Sequence, residues 1–207
     1  MTRCPGIFFV LLLFAAGGCA TLNESECRNA DWRMIGLEDG VDGRLKSYVG
    51  KHRQACAKHD ITPDIFAYQQ GYSEGLKQYC TEMKGFALGK KGAAYHGVCL
   101  PGSEKLFLEG YHFGLQFHKV NHTIERCSSV IRSKQKEVEK IEKEILKKER
   151  LLISDKATEV KRAHLLVEIR ELQEKIGRLE AEILEKEKQR AVAQAKIDKL
   201  NRHNPYY

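Results

Sequence analysis

Apolar residues recur every three or four positions through the C-terminal part of the chain, which is the pattern of an amphipathic helix. The clearest run comprises Leu165, Ile169, Leu172, Ile176, Leu179 and Ile183. Isoleucine largely occupies one apolar position of the heptad and leucine the other, a distribution that favours parallel two-stranded coiled coils. We therefore predict a coiled-coil tail over residues 127–203, followed by a terminal extension over residues 204–207.

The apolar pattern changes phase near residues 154–158, so two courses are open to the tail. The helix can turn back there as an antiparallel hairpin, or it can continue through a locally over- or underwound segment. A spacing of seven is kept across the shift by Leu146, Ile153, Val160 and Val167. This spacing favours a continuous helix, which at about 76 residues would be about 110 Å long. The hairpin is the alternative.

Residues before the tail combine helix start signals with paired glycines, which predicts a small helical head. One helix is expected to begin near Asn23, with Glu26 three residues later, and another at Thr62, which can cap it. Glycines four residues apart share one helix face, where a neighbouring backbone can approach closely, so we expect them to pack helices together. The pairs are Gly36 and Gly40, Gly71 and Gly75, and Gly110 and Gly114. A ligand groove with a glycine floor is the alternative interpretation.

The segment at residues 81–100 is rich in glycine and lies between two helical patterns. It contains Gly85, Gly89, Gly92 and Gly97. Short apolar stretches on either side of residues 89–92 are compatible with a small β-hairpin. A phosphate-binding loop would need a strand before it and a helix directly after it, and neither is predicted here. We therefore expect a glycine-rich loop that a disulfide closes.

The first 18 residues have the pattern of a signal peptide. Arg3 precedes an apolar segment of about ten residues at 7–16, and small residues then lead directly into Cys19. This arrangement resembles a bacterial lipoprotein signal, in which the cysteine receives a diacylglycerol and becomes the new N-terminus. Ala20 stands where aspartate would favour retention in the inner membrane. The resemblance therefore implies a lipid on Cys19 and the periplasmic side of a Gram-negative outer membrane; an ordinary secretory signal is the alternative.

Export would place the remaining cysteines in an oxidising compartment, where cysteines pair. Four of them lie in the head: Cys27, Cys56, Cys80 and Cys99. If residues 40–43 form a turn between antiparallel helices, Cys27 and Cys56 face each other at the open end of that pair. Cys80 and Cys99 bracket the glycine-rich segment and would close it. Of the three possible connectivities, we therefore predict Cys27–Cys56 with Cys80–Cys99.

Cys127 is left over at the start of the tail. A cysteine at an apolar helical position is usually a small buried hydrophobic residue. The alternative is an interchain disulfide, which Cys127 could form across a parallel coiled-coil dimer. The sequence leaves both alternatives open.

A larger set of residues in the head resembles one known family. The set comprises Cys19, Asp31-Trp32-Arg33, Gly36, Glu38-Asp39-Gly40, His52-Arg53, Cys56, Thr62-Pro63-Asp64, Gly71, Gly75, Leu76, Tyr79-Cys80, Tyr95, Gly97-Val98-Cys99 and the segment from Phe107 to Gly114. Together these positions are similar to the bacterial lipoproteins classed as domain of unknown function 2799, over about residues 19–117. The resemblance implies an envelope lipoprotein with paired cysteines, and it brings no assigned activity.

Composition and motifs narrow the classes of function. The chain has 207 residues and a formal net charge of +7, and it contains no GxGxxG, GxxxxGK[ST], HExxH or GxSxG motif. After the N-terminus no apolar run reaches the roughly 20 residues that a membrane-spanning helix needs. The basic residues are not interleaved with aromatic ones, which together with the export signal argues against nucleic-acid binding. We expect neither an enzyme nor a bound cofactor.

Candidate chemistry is limited to two histidine patterns and a few carboxylates. Spacings typical of metal ligands are found for His118 with His122, and for His52, Cys56 and His59. The carboxylates best placed for acid–base chemistry are Asp31, Glu38 and Asp39. Because a disulfide would remove Cys56 as a ligand and two histidines lack a third, we expect no metal site.

These observations predict an all-α protein with a small disulfide-stapled helical head at residues 19–126 and a long helical coiled-coil tail. We expect an envelope lipoprotein with a structural or adaptor role, attached to the membrane by its lipid. The coiled coil would bind a protein partner or a second copy of the chain. The alternative is a periplasmic metal- or small-ligand-binding module that its coiled coil oligomerises.

Overall fold

The computed structural model describes residues 21–206, and every regular element in that range is helical, which confirms the all-α prediction. Seven α-helices follow one another: α1 Glu24–Arg28, α2 Trp32–Val41, α3 Val49–Cys56, α4 Ile65–Tyr79, α5 Glu82–Lys91, α6 Pro101–Leu152 and α7 Glu159–Arg202. Short 3-10 helices lie at Lys46–Tyr48 and Ala57–His59. The predicted signal peptide at residues 1–18 and the lipidation site at Cys19 lie outside the described residues. Within 21–206, none of the helices has the length and apolar character of a membrane span.

Two of the predicted helix starts have different outcomes. Asn23 and Glu26 form the expected capping box at α1, each side chain bonding to the other residue's backbone N–H at 2.9 and 2.7 Å. The α4 helix begins later than predicted, because Asp64 and not Thr62 caps it, accepting from the Ala67 N–H at 2.9 Å. Thr62 therefore lies in the loop before the helix.

The described chain divides into two compact units, one ending at Tyr79 and one beginning at Cys80. In the first unit α2 packs along α4, and the Cys27–Cys56 disulfide joins α1 to α3. In the second unit α6 packs against both α5 and α7. The expected boundary between head and tail at residues 126–127 falls inside α6, which continues through it without a break.

The segment at residues 81–100 differs from the expected loop or β-hairpin, because half of it is the helix α5. The Thr81 side chain caps this helix by accepting from the Lys84 N–H at 3.3 Å, and Gly92 ends it with a φ of 71°. The remaining residues form the loop that the predicted Cys80–Cys99 disulfide closes, with 5.6 Å between the two Cα atoms. Gly85 and Gly89 therefore constitute a fourth helical glycine pair, in a segment whose composition favours a loop.

Paired glycines hold each unit together in the same way. A Cβ atom on any of these glycines would overlap the backbone of the facing helix, so the helices touch along their main chains. In the first unit the contact joins Gly36 and Gly40 of α2 to Gly71 and Gly75 of α4. In the second it joins Gly85 and Gly89 of α5 to Gly110 and Gly114 of α6. The predicted packing role of the glycines is thus observed, and no ligand groove separates the helices at these positions.

Each unit also contains the same type of hydrogen bond beside its glycine contact. The Tyr72 hydroxyl donates to the carbonyl oxygen of Arg44 at 2.6 Å, and the Tyr111 hydroxyl donates to that of Ala93 at 3.0 Å. Each acceptor directly follows a glycine with positive φ that ends or follows the first helix of the pair. The chain therefore contains the same helix-pair motif twice, once in each unit.

The tail is an antiparallel hairpin, and the favoured continuous helix is wrong. The chain turns between Leu152 and Glu159, where the Thr158 side chain caps α7. Along the hairpin Ile141 and Ile145 of α6 pack with Ile169 and Leu179 of α7. The seven-residue spacing that favoured continuity belongs to outward-facing residues and not to the packed seam, because Ile153 and Val160 are 79% and 81% exposed. The coiled-coil pairing is accordingly made within one chain.

Candidate functional site

The glycine contact between α2 and α4 brings three polar side chains together inside the first unit. Asp39 lies on α2 between the two glycines of that helix, and Tyr68 lies one turn before Gly71 on α4. His52 enters from α3, whose position the Cys27–Cys56 disulfide fixes. Asp39 and His52 are each 3% exposed and Tyr68 is fully buried. We refer to these three residues as the buried triad.

Hydrogen bonds connect every member of the buried triad. The Tyr68 hydroxyl donates to Oδ2 of Asp39 at 2.7 Å, and Nε2 of His52 lies 2.9 Å from the same oxygen. Because a carboxylate can only accept, Nε2 carries the hydrogen of that contact. On the other side of the ring, Nδ1 of His52 lies 3.1 Å from Oγ1 of Thr21. The guanidinium of Arg44 reaches Oδ1 of Asp39 at 3.1 Å.

These contacts determine how the acidic groups titrate. Burial alone would raise the pKa of the Asp39 carboxyl, but the hydrogen bonds from His52 and Tyr68 and the positive charges of His52 and Arg44 outweigh it and lower that pKa. Burial and the hydrogen bond to the Asp39 carboxylate raise the pKa of the Tyr68 phenol. Asp39 is thus an ionised acceptor and Tyr68 a neutral donor, which is the charge state that the hydrogen bonds require.

The buried triad resembles an acid–base constellation in composition, but its geometry is that of a structural network. Both oxygens of Asp39 and both ring nitrogens of His52 already have protein partners. A general base must be within reach of a substrate proton, and these side chains are enclosed by the packed helices. The buried triad therefore links α2, α3 and α4 through hydrogen bonds, and it also binds the Thr21 side chain before α1.

The other carboxylates and the histidines occupy separate places. Asp31 caps α2 by accepting from the Met34 N–H at 3.0 Å, and Glu38 is exposed. Nδ1 of His59 lies 3.5 Å from a carboxylate oxygen of Glu24. His52, Cys56 and His59, whose spacing is typical of metal ligands, do not form a ligand set, because Cys56 is in a disulfide and His52 belongs to the buried triad.

His118 and His122 lie one turn apart on α6, with ring centroids 6.3 Å apart. The His118 ring lies directly over Gly92 at the end of α5. His118 is therefore part of the packing between α5 and α6. Across residues 21–206, no group of three or more histidine, cysteine, aspartate or glutamate side chains is arranged as metal ligands.

Cys127 is a free cysteine that is 5% exposed on α6. It lines a small cavity between the hairpin helices together with Val130 and Lys186. The coiled-coil partner of α6 is α7 of the same chain, so a disulfide from Cys127 to a second chain, the alternative from the sequence, would require the hairpin to open. The alternative of a small buried side chain describes the observed environment.

The surface of the hairpin offers a second candidate site, an open and mainly apolar groove. It is lined by Val120 of α6 and by Val192 and Ala193 of α7, with lysine side chains at its edges. Val192 is 72% exposed. Polar residues such as Gln189 occupy α7 here, where the apolar seam is interrupted, so the hairpin helices leave apolar surface uncovered. Such a groove is suited to the apolar face of a third helix.

Comparison with known proteins adds one match. Residues 31–116 match the family model described as a protein of unknown function (DUF2799), in agreement with the resemblance that the sequence suggests. The matched range contains all four glycine pairs and ends early in α6, so most of the hairpin lies beyond it. No curated protein and no solved structure matches the chain.

Proposed function

Given a DUF2799 match over residues 31–116, we propose that this protein is an envelope lipoprotein with an adaptor role and without catalytic activity. In this proposal a lipid on Cys19 attaches the chain to the periplasmic side of a Gram-negative outer membrane. The helical hairpin binds the apolar face of a helix in a partner protein. The observation that carries the proposal is the open, mainly apolar groove at Val120 and Val192, where the apolar seam of the hairpin is interrupted.

The first unit is suited to follow directly after a lipid anchor. Thr21 stands two residues after Cys19 and its hydroxyl contacts Nδ1 of the buried His52 at 3.1 Å. The start of the mature chain would therefore be bound to a disulfide-linked helical unit and not joined to it by a long linker. A single acyl chain binds membranes only weakly, whereas a lipoprotein cysteine with several chains gives stable attachment.

The hairpin is suited to contact a partner along the part of α6 that follows its glycine contact with α5. The α6 helix has 52 residues, which at 1.5 Å per residue gives a length of about 78 Å. Its far part pairs with α7 through apolar layers and cross-hairpin ion pairs, including Lys175 with Glu137 at 2.7 Å. These contacts hold the two helices together beyond the groove, and the exposed apolar surface at Val192 is available to another protein.

The alternative of a metal- or small-ligand-binding module loses its main donors. Cys56 is bonded to Cys27, and the ring nitrogens of His52 contact Asp39 and Thr21. Of the two histidine patterns with ligand-like spacing, the His118 and His122 pair remains, and the His118 ring packs over Gly92. No observation on the described residues favours this second function over the adaptor role.

A photocrosslinking experiment in intact cells tests the adaptor role. A photoreactive residue at Val192, in the groove, is expected to form crosslinks to an envelope protein, identified by mass spectrometry. The same residue at Gln173, exposed on the same helix outside the groove, serves as the control. Equal crosslinking from both positions, or none from Val192, would contradict the proposal. Crosslinks between two copies of this chain would show that the groove binds a second copy and not a different protein.

A matched deletion tests whether the length of the hairpin matters. Lys134 pairs with Glu182 and Lys148 with Glu168, so residues 138–144 lie opposite residues 172–178. Removing both segments shortens each helix by two turns and keeps the remaining layers in register. We expect the shortened protein to fold, shown by its helical circular dichroism, and to keep the crosslinks from Val192, because the groove residues lie outside both removed segments. Loss of the crosslinks would show that the partner also needs the far part of the hairpin. Mass spectrometry of the N-terminal peptide separately tests the lipid on Cys19.

A further inference from the structure

Exposed apolar side chains are concentrated at the far end of the hairpin. We call residues 146–167 the hairpin tip; they comprise the end of α6, the turn and the start of α7. Six large apolar side chains of the tip are more than half exposed: Leu146, Leu151, Ile153, Val160, Leu166 and Val167. Scattered exposed apolar residues are normal on a protein surface, but a concentration of them marks an interaction site.

The tip also carries a net positive charge that the segments on either side of it lack. It contains six basic and three acidic residues. The basic ones are Lys147, Lys148, Arg150, Lys156, Lys161 and Arg162. In the flanking parts of the hairpin, residues 127–145 and 168–190, the basic and acidic residues are equal in number, eleven of each. The surplus of positive charge in this region therefore coincides with the exposed apolar side chains.

The turn holds these side chains in a defined place. The Arg162 guanidinium donates to the carbonyl oxygens of Ala157 and Ser154 at 3.2 and 3.4 Å. Thr158 caps α7 by accepting from the Lys161 N–H at 3.3 Å. Because the turn is fixed from both sides, Ile153 before it and Val160 after it are already held in place, which lowers the entropic cost of binding.

Charge and shape together indicate the occupant. A second copy of the tip would bring like charges together, which opposes association, whereas an anionic surface would be attracted. The exposed apolar side chains are spread over both helices and the turn, while the nearby cavity is lined by the ion-paired Glu144, Lys148 and Glu168. A bilayer interface accepts such a spread of apolar groups without a matching pocket, and lysine and arginine side chains reach its headgroups.

We propose that the hairpin tip inserts its apolar side chains into the interface of a bilayer rich in anionic phospholipid. This goes beyond the adaptor role, because it concerns the tip and a lipid surface and not the groove and a protein. Binding of the tip can be measured independently of a lipid on Cys19 if the bilayer offered to the tip is separate from the bilayer in which the protein is anchored.

Fluorescence quenching across two vesicle populations tests the proposal. The mature protein with Ile153→Trp is mixed with or reconstituted into phosphatidylcholine vesicles, and acceptor vesicles of brominated phosphatidylglycerol are then added. The natural Trp32 is 9% exposed in the first unit, so the unsubstituted protein supplies the background signal. We expect at least about twofold stronger quenching than with brominated phosphatidylcholine, and a loss of this difference at high salt, which screens exposed charges.

Two further variants complete the test. Leu184→Trp, at a half-exposed position of α7 outside the tip, should show no quenching. Adding Lys156→Glu and Lys161→Glu to the Ile153→Trp protein should remove the quenching while unchanged circular dichroism shows that the hairpin is intact. The proposal is overturned if the tryptophan introduced at position 153 is not quenched, if both lipids quench it equally, or if the charge reversal has no effect. Photocrosslinks from position 153 to a protein, without lipid quenching, would assign the tip to a protein partner instead.

Discussion

The Nε2 atom of His52 lies 2.9 Å from Oδ2 of Asp39, and both residues are only 3% exposed. Asp39 lies between Gly36 and Gly40 of α2. At these two glycines the backbone of α4 is in direct contact with the backbone of α2. An ionised group in such a place needs several hydrogen-bonding partners to offset its desolvation. Asp39 has three, from His52, Tyr68 and Arg44, so the polar network and the glycine packing depend on each other.

Replacing Asp39 by asparagine should destabilise the first unit. The variant leaves Arg44 and His52 without their charged partner, and removing one member of a buried charged network costs about 3 kcal/mol. We expect that loss in the free energy of unfolding at pH 7, measured by urea denaturation followed by circular dichroism. Asp42→Asn is the control, because Asp42 pairs with the same arginine but its side chain is 58% exposed, so its loss should be small.

The same variant should change the acid stability. Because the hydrogen bonds and charges around Asp39 lower its folded pKa below the usual 3.8, its contribution is present above that value and is lost as the pH falls through the lowered pKa. The unsubstituted protein should therefore lose stability below about pH 4 more steeply than Asp39→Asn. Identical acid slopes for both proteins would contradict the role given to Asp39.

The sequence predicts the helical class, the disulfide pairs and the packing of three glycine pairs because each is a local or simply spaced pattern. Cysteine pairing could be derived from distances along two helices, and glycines at a spacing of four necessarily share a helix face. Gly85 and Gly89 follow the same rule. Lysines and two more glycines around them gave the appearance of a loop, although Thr81 and Gly92 are ordinary helix caps.

The buried triad and the hairpin required three-dimensional information. Asp39 is separated from His52 by 13 residues and from Tyr68 by 29, and their meeting depends on which faces of α2 and α4 touch. The sequence marks Asp39 and His52 as separate candidates, but nothing in their spacing indicates that they contact each other. For the tail, the apolar pattern is compatible with both a continuous helix and a hairpin. The packing of Ile141 and Ile145 against α7 decides between the two.

Adding a methyl group at Gly71 should weaken the first unit strongly. A Cβ atom there would overlap the carbonyl of Arg33 and approach the N–H of Leu37 on α2, and neither backbone group can move without separating the helices. We expect Gly71→Ala to lower the free energy of unfolding by at least about 2 kcal/mol. Urea denaturation measures the effect directly.

Gly50→Ala is the matched control for this substitution. Gly50 also lies in a helix, but its Cβ would have no atom within 4 Å. Alanine is the better helix former, so this variant should be unchanged or more stable by up to about 1 kcal/mol. Equal destabilisation by both variants would show that loss of glycine itself, and not the contact between α2 and α4, is responsible.

Tyr206 should make the second unit sensitive to alkaline pH. Its hydroxyl donates to Oε1 of Glu82 at 2.7 Å and its ring stacks on Phe86 with centroids 4.5 Å apart. Burial, with the hydrogen bond and the charge of Glu82, raises the pKa of Tyr206 from 10.0 to about 12. The stabilisation is therefore complete below pH 10 and is lost as the pH rises from 10 to about 12.

Phenylalanine at position 206 keeps the stacked ring and removes the titrating group. We expect Tyr206→Phe to cost about 1 kcal/mol at pH 7, the usual value of one hydrogen bond, and to lose less stability than the unsubstituted protein between pH 10 and 12. Thermal unfolding across this range measures both effects. Tyr48→Phe is the control, since the described contacts of Tyr48 are made by its ring, over which Arg44 lies at 4.5 Å; a matching change in that variant would count against Tyr206.

Cys127 should behave as a protected thiol and not as a site of dimerisation. It is 5% exposed between α6 and α7, so a thiol reagent can reach it only when the hairpin opens locally. We expect labelling of the native protein to be at least about tenfold slower than labelling in denaturant, and a monomeric band on a non-reducing gel. Moving the thiol to an exposed position nearby, as Ser129→Cys in a Cys127→Ala background, should restore rapid labelling and permit disulfide-linked dimers. A dimer band that appears in the unsubstituted protein and disappears in Cys127→Ala would show that the hairpin opens or exchanges between chains, and that the pairing within one chain is not the only arrangement of the tail.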